Sequence, residues 1–154
     1  MISSQRPNET DEGYARRVAE TNAQLSAATI TPETIRSNLG QFFGTESWTK
    51  WSPLFRNCLL TDGALYLAEN CGAYWLMDAI ASYKHDPVFR GQDFQVWALV
   101  KGDDGWRLSA EDGNGNALAS QFIEYSDFPL DEGVTIWAIR NELGGLTLML
   151  PSEY

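Results

Sequence analysis

The chain has 154 residues, 44% of them hydrophobic, and a formal net charge of −10. This length and composition indicate one folded domain with its own core, and they exclude a disulfide-rich miniprotein and a low-complexity chain. The chain has two cysteines, too few for a disulfide framework. It has no apolar run of ~20 residues, so we expect no membrane helix, and its polar start, MISSQRPNETDEG, predicts no signal peptide. We therefore expect a cytoplasmic protein with free, buried thiols and without membrane association.

Helical patterns occur in the first half of the chain. Residues 1–12 are polar and predict a disordered arm, whereas a thin apolar stripe over 12–27 predicts a weak helix. In the next helix, Thr31 suits the cap, Pro32 the first position and Glu33 the positive end of the dipole, and Gly40 ends it. Residues 13–40 are thus predicted to be accessory helices, and residues 41–154 the core of the fold.

The strongest helical pattern covers residues 64–84, ALYLAENCGAYWLMDAIASYK. Gly72 interrupts it, which leaves either two helices or one kinked helix. The preceding residues 42–55 alternate aromatic and polar side chains and predict an irregular connection, followed by a short strand at 57–61. The apolar helical surface is wide enough to predict burial in the middle of the domain.

After residue 87 the hydrophobic period changes to two, which is typical of strands. Five strands are predicted, at 94–100, 106–111, 117–125, 134–139 and 146–151, and the joints between them are rich in Gly, Asn and Asp. We predict an α+β fold in a single globular domain. Its C-terminal half is an antiparallel β-meander of about five strands, covered by helices from the N-terminal half.

The stretch DGNGN, residues 112–116, places oxygen side chains at alternate positions, as in a calcium-binding loop. Position six of that motif is Ala117 instead of Gly, and position twelve is Ile123 instead of Glu. A phosphate loop would require a following helix with Lys, and a strand is predicted there. The stretch therefore predicts a hairpin turn, and we expect neither a metal nor a cofactor.

Residues that could carry chemistry are few. His85 is the only histidine, and its place at a helix end favours a cation that stabilises the helix dipole. Glu46 and Asp78 lie near Trp48 and Trp75 in the aromatic segment. These four residues are the candidate ligand-binding site, with the two carboxylates as an acid/base pair if the protein is an enzyme.

The negative charge is concentrated late in the chain. Residues 102–154 hold ten acidic and two basic residues, a balance of −8. Such a surface repels nucleic acid and attracts a basic protein surface. The predicted partner-binding residues are Asp103, Asp104, Glu111, Asp112, Glu124, Asp127, Asp131 and Glu132.

Several motifs resemble a small family of uncharacterised bacterial, phage and plasmid proteins. They are FFGTESW (42–48), LTDGxxYLAExxGAYWLMDAIAS (60–82), FQVWxL (94–99), EDGNGN (111–116), FPL (128–130) and LPSEY (150–154). Thr49, Lys50 and Trp51 stand where that family has Tyr-Arg-His, which argues against a His-based site. The resemblance supplies no reaction; it implies a mobile-element accessory protein.

Two functional hypotheses follow from the sequence. The first is a non-enzymatic, acidic binding protein that occupies the basic surface of a nucleic-acid-processing or defence complex of the host. The alternative is a small-ligand or nucleotide-binding module with weak hydrolase activity at the aromatic segment. Self-association is a third, structural role.

Overall fold

The computed structural model describes residues 30–154, so the predicted arm and the predicted helix at 12–27 lie outside the described residues. Residues Arg36–Tyr154 form one compact unit. Helix α1 (Pro32–Leu39) begins as its sequence predicts, because the Thr34 N–H donates to Thr31 Oγ1 at 3.2 Å. No helix among residues 30–154 is long and apolar enough to cross a bilayer.

The long apolar pattern forms two helices, α2 (Asp62–Asn70) and α3 (Tyr74–Ser82). Between them Gly72 adopts a left-handed conformation with φ of 59°, which side-chain-bearing residues avoid and which ends a helix. Of the two alternatives open from the sequence, two helices are therefore confirmed. The last predicted helical residues form a separate 3-10 turn, Tyr83–His85.

The predicted α+β class is confirmed by one six-stranded, mostly antiparallel sheet. Each of the five predicted strands is present, and the short strand predicted at 57–61 contributes two residues. The strands are β1 (Leu59–Leu60), β2 (Phe94–Lys101), β3 (Trp106–Glu111), β4 (Ala117–Ile123), β5 (Val134–Arg140) and β6 (Leu146–Met149).

The strand order, β1-β6-β5-β2-β3-β4, departs from a simple meander at one point. Strands β2, β3 and β4 are consecutive antiparallel neighbours, but β5 pairs with β2 instead of β4. The connection at residues 124–133 therefore returns the chain across the sheet, and β1 joins β6 in parallel. Burial agrees with this order: β4, at the edge, is largely exposed, whereas Ile136 and Ala138 of β5, in the interior of the sheet, are buried.

The core lies between one face of the sheet, here called the inner face, and the helices. Trp97, Leu99 and Ile136 of the sheet are almost completely buried, as are Leu76 and Ile80 of α3. Aromatic rings join the two layers, since the rings of Phe89 and Tyr83 lie 5.6 and 5.2 Å from the ring of Trp97. The opposite, outer face carries half-buried or exposed side chains.

Candidate functional site

Six of the eight acidic residues predicted to bind a partner lie at one end of the sheet. The β2–β3 turn and the 124–133 connection both lie at the end where β2 finishes, because Trp106 pairs with both Lys101 and Ile123. A Cβ on Gly105 would lie only 3.0 Å from the Glu124 carbonyl oxygen, which shows how close the two loops are. We call this surface the acidic end; its members are Asp103, Asp104, Glu124, Asp127, Asp131 and Glu132.

Two members of the acidic end are neutralised within the molecule. Lys101 Nζ lies 3.1 Å from an Asp131 oxygen, and the Arg36 guanidinium donates to both oxygens of Glu132 at 2.6 and 3.0 Å. The hydrogen bond from Arg36 holds the pKa of the Glu132 carboxyl below its usual value. Within residues 30–154, the other four carboxylates have no ion-pair partner. These four are Asp103, Asp104, Glu124 and Asp127.

Large apolar side chains are exposed beside the unpaired carboxylates. Val100, Phe122 and Tyr125 are 52%, 50% and 80% exposed. Val100 and Phe122 line a cleft of about 540 Å³ together with Asp103 and Asp104. Sequence reasoning missed Phe122, because an apolar residue in a strand predicts burial and only the pairing order shows that β4 is an edge strand.

Two cationic side chains, Lys101 and Arg107, also line this cleft. The Arg107 guanidinium carbon lies 5.9 Å from the centre of the Phe122 ring, and its Nη1 donates to Ser120 Oγ at 2.9 Å. Arg107 therefore makes a cation–π contact with the exposed Phe122 ring on the outer face.

The remaining two predicted partner residues, Glu111 and Asp112, lie at the opposite end of the sheet, where β3 turns into β4. Asp112 accepts hydrogen bonds from the Asn114 N–H at 2.8 Å and from the Asn116 side chain at 2.8 Å. These bonds, led by the one from Asn116, lower the pKa of the Asp112 carboxyl. The predicted hairpin turn is confirmed, and Asp112 is occupied in building it.

The four residues of the predicted ligand-binding site do not share one cleft. Trp48 is exposed and lines a cleft of about 430 Å³ beside Leu143. Trp75 lines a different cleft, of about 220 Å³, together with Tyr125 and Asp127. The structure therefore brings Trp75 to the acidic end and leaves Trp48 elsewhere.

The two carboxylates of that predicted site are both exposed. Asp78 accepts a hydrogen bond from Trp51 Nε1 at 2.8 Å. The Glu46 backbone N–H donates to Asp62 Oδ2 at 2.9 Å, while the Glu46 side chain faces solvent. Neither carboxylate therefore lies in an enclosed site of the kind that general acid–base catalysis by a carboxylate pair would use.

Three of the sequence motifs meet at the start of α2. From FFGTESW, Ser47 Oγ donates to Asp62 Oδ1 at 2.7 Å, and the Asp62 N–H donates to Thr45 Oγ1 at 2.9 Å. From LPSEY, Glu153 Oε2 accepts the Gly63 N–H at 2.8 Å. The bond from Ser47 is the largest cause of a lowered pKa at Asp62. These motifs therefore build the fold: they satisfy the free N–H groups of a helix start.

Both cysteines are free and buried, as predicted. Burial, together with the negative charge of Glu132, raises the pKa of the Cys71 thiol to about 12. A thiol with that pKa stays protonated at neutral pH and is a poor nucleophile. Cys71 is therefore a core residue.

No group of three or more His, Cys, Asp or Glu side chains in residues 30–154 is arranged to hold a metal ion.

The sequence model of the family of unknown function DUF6876 matches residues 33–154. The chain belongs to DUF6876. No curated protein and no solved structure matches it. In this DUF6876 chain the family region begins at residue 33, so it includes most of α1 in addition to the core predicted from residue 41.

Proposed function

We propose that this protein is a non-enzymatic binding protein whose acidic end engages a basic surface of a partner protein. One observation carries the proposal: four carboxylates without ion-pair partners in the described part of the chain lie at the end of the sheet where aromatic side chains are exposed. Asp103 and Asp104 line a cleft with Phe122, and Asp127 lines another with Tyr125. Protein interfaces have this composition, with aromatic residues in the centre and charged groups at the rim.

The aromatic side chains supply affinity. Tyr125 is 80% exposed, so a partner that covers it removes roughly 100–150 Å² of largely apolar surface from water. At ~25 cal/mol per Å² this burial stabilises a complex by about 3 kcal/mol. Phe122, which is 50% exposed and contacts Arg107, adds a second apolar contact.

The carboxylates supply partner selection. Exposed charges change the association rate and its salt dependence more than they change affinity. Negative charge repels a nucleic-acid backbone and favours basic protein surfaces, such as those of nucleic-acid-binding proteins. In its narrower form, which the motif resemblance supports, the partner is a host nucleic-acid-processing or defence complex and the protein is an inhibitor from a mobile element.

The alternative, a small-ligand module around Glu46, Trp48, Trp75 and Asp78, is supported less well. Trp48 and Trp75 line different clefts, and the two carboxylates are exposed. Since Trp75 shares its cleft with Tyr125 and Asp127, we assign Trp75 to the partner-binding surface.

Two triple variants with the same change in net charge test the proposal. The first neutralises the acidic end (Asp103→Asn, Asp104→Asn and Asp127→Asn), and the control neutralises exposed carboxylates elsewhere (Glu46→Gln, Glu69→Gln and Glu142→Gln). Wild type and both variants are immobilised at equal density, and the proteins that they retain from a cell lysate are quantified at ~0.1 M and ~0.5 M salt.

We expect wild type and control to retain the same basic proteins at low salt, and the acidic-end variant to lose them. With a purified retained protein, the association rate should fall at least ~10-fold in the acidic-end variant. Tyr125→Ser should instead accelerate dissociation. Retention that is equal in all three proteins, or that does not respond to salt, refutes the proposal.

A further inference from the structure

A second cleft, of about 310 Å³, lies at the other end of the sheet, where β2 begins. Its walls include Lys84 and His85 from the turn after α3, Gln95 from β2 and Arg140 from β5. We call it the cationic cleft. Gln95 and Lys101 are six residues apart along β2, so roughly 20 Å separates this cleft from the acidic end.

Gln95 gives the cleft an unused hydrogen-bond donor. The residue is only 2% exposed, and its Oε1 accepts the Trp97 indole N–H at 2.8 Å. Because an indole N–H can only donate, the amide oxygen must face Trp97 and the amide NH₂ must point away from it. Within residues 30–154 that NH₂ has no acceptor. A buried polar group without a partner is rare in native proteins and indicates a bound acceptor.

The charged side chains that line the cleft, Lys84 and Arg140, are both positive in a chain of net charge −10. Lys84 is half-buried and has no carboxylate partner among the described residues. Arg140 Nε is 2.7 Å from an oxygen of Asp93, a carboxylate that is itself largely exposed. The Asp86 carboxylate near His85 accepts the Val88 N–H at 2.9 Å, so it caps the next turn. Lys84 and Arg140 therefore bring two positive charges to the cleft, of which that of Arg140 is paired with Asp93.

We propose that the cationic cleft binds the oxyanion group, phosphate or carboxylate, of a small molecule. The amide NH₂ of Gln95 and the Lys84 ammonium offer only donors, and an oxyanion offers only acceptors. The Arg140 guanidinium has further N–H groups besides those that face Asp93 and the Gln92 carbonyl oxygen, and the His85 imidazole adds a ring N–H. An apolar ligand would leave all of these donors without partners.

Nuclear magnetic resonance of the full, ¹⁵N-labelled chain tests the site. The probes are inorganic phosphate and succinate, each titrated against sodium chloride at equal ionic strength. We expect saturable shifts of the Gln95 side-chain NH₂ and the Trp97 indole N–H, with a Kd in the millimolar range or below. Saturation by phosphate alone or by succinate alone identifies which oxyanion the cleft prefers.

Variants distinguish this cleft from general anion association. Gln95→Glu keeps the acceptor for Trp97 but replaces the free donor by negative charge, and it should abolish binding. Lys84→Met and His85→Gln should each weaken binding at least ~5-fold, whereas Lys50→Met, an exposed lysine outside the cleft, should not change it. Absence of saturable shifts in the wild type overturns the proposal, and so does equal binding in Lys84→Met, His85→Gln and Lys50→Met.

Discussion

Replacement of Glu153 by Gln tests the junction that joins the last residues to the start of α2. Glu153 is 7% exposed and accepts three hydrogen bonds. Its Oε1 accepts from Thr61 Oγ1 at 2.6 Å and from the Leu150 N–H at 3.0 Å, and its Oε2 accepts from the Gly63 N–H at 2.8 Å. The Gln side chain has nearly the same shape, so the change isolates charge and hydrogen-bonding capacity from packing.

The expected loss follows from these bonds. One of the two acceptor oxygens becomes an NH₂ group, which must then face either the Gly63 N–H or the Leu150 N–H. One hydrogen bond to a charged group is lost, worth ~1.5–3 kcal/mol. The attraction between the carboxylate and the positive end of α2 is also lost, worth ~0.3–1 kcal/mol. We expect the free energy of unfolding to fall by about 3 kcal/mol.

Urea unfolding followed by tryptophan fluorescence measures the loss. At a slope of ~2 kcal/mol per molar urea, the midpoint should fall by about 1.5 M. Glu142→Gln, an exposed carboxylate outside the junction, should change stability by less than ~0.5 kcal/mol. The combination with Thr61→Val should be non-additive by at least ~0.5 kcal/mol, because the two side chains share a hydrogen bond. A Glu153→Gln loss as small as that of the control would refute the reasoning.

Three further predictions concern other parts of the fold. Gly133→Ala should lower the free energy of unfolding by about 2–5 kcal/mol, because φ is 76° and the new Cβ would overlap a carbonyl oxygen of β2. Gly144→Ala, where φ is 85° but the space is open, should lower it by only ~1–2 kcal/mol. Equal losses of the two variants in urea unfolding would contradict this. Cys71, with its pKa raised to about 12, should resist alkylation by iodoacetamide at pH 8 until the protein unfolds, and rapid native labelling in mass spectra would argue against its burial. Asp62 and Glu132 have pKa values lowered from the ordinary 3.8 and 4.5, so the stability that they contribute is complete above about pH 5 and is lost as the pH falls through the lowered values. The fall of the melting temperature in acid should therefore be smaller in Glu132→Gln; an unchanged fall would be evidence against the Arg36 pair.

Local patterns in the sequence predict the elements well. The period of two over 106–111 corresponds to β3 residue for residue, and Gly72 marks the break between α2 and α3. Both signals depend on neighbours in the chain, such as alternating burial or a left-handed glycine. The hairpin at DGNGN is predictable for the same reason, since Asp112 bonds residues only two and four positions away.

Pairing between distant residues could not be predicted in this way. The choice of β2 over β4 as the neighbour of β5 depends on which strands need two covered edges, and a periodicity carries no such information. The proposed sites likewise depend on residues that are distant in the chain, so they could not be predicted either. The acidic end combines a turn at 102–105 with a connection at 124–133, and Lys84 meets Arg140 only through the fold.

The junction at the start of α2 also has a consequence for biosynthesis. Thr61 and its hydrogen-bond partner Glu153 are 92 residues apart, and Leu59 pairs with Thr147 in the parallel β1–β6 ladder. At ~5–20 residues per second a ribosome needs roughly 5 to 20 seconds between these points. Through that interval α2 and its N-cap Thr61 have been synthesised, but Glu153, which accepts the Gly63 N–H, has not. The nascent chain therefore cannot complete its core until translation nears Glu153, and a truncated product would leave both β1 and α2 without their partners.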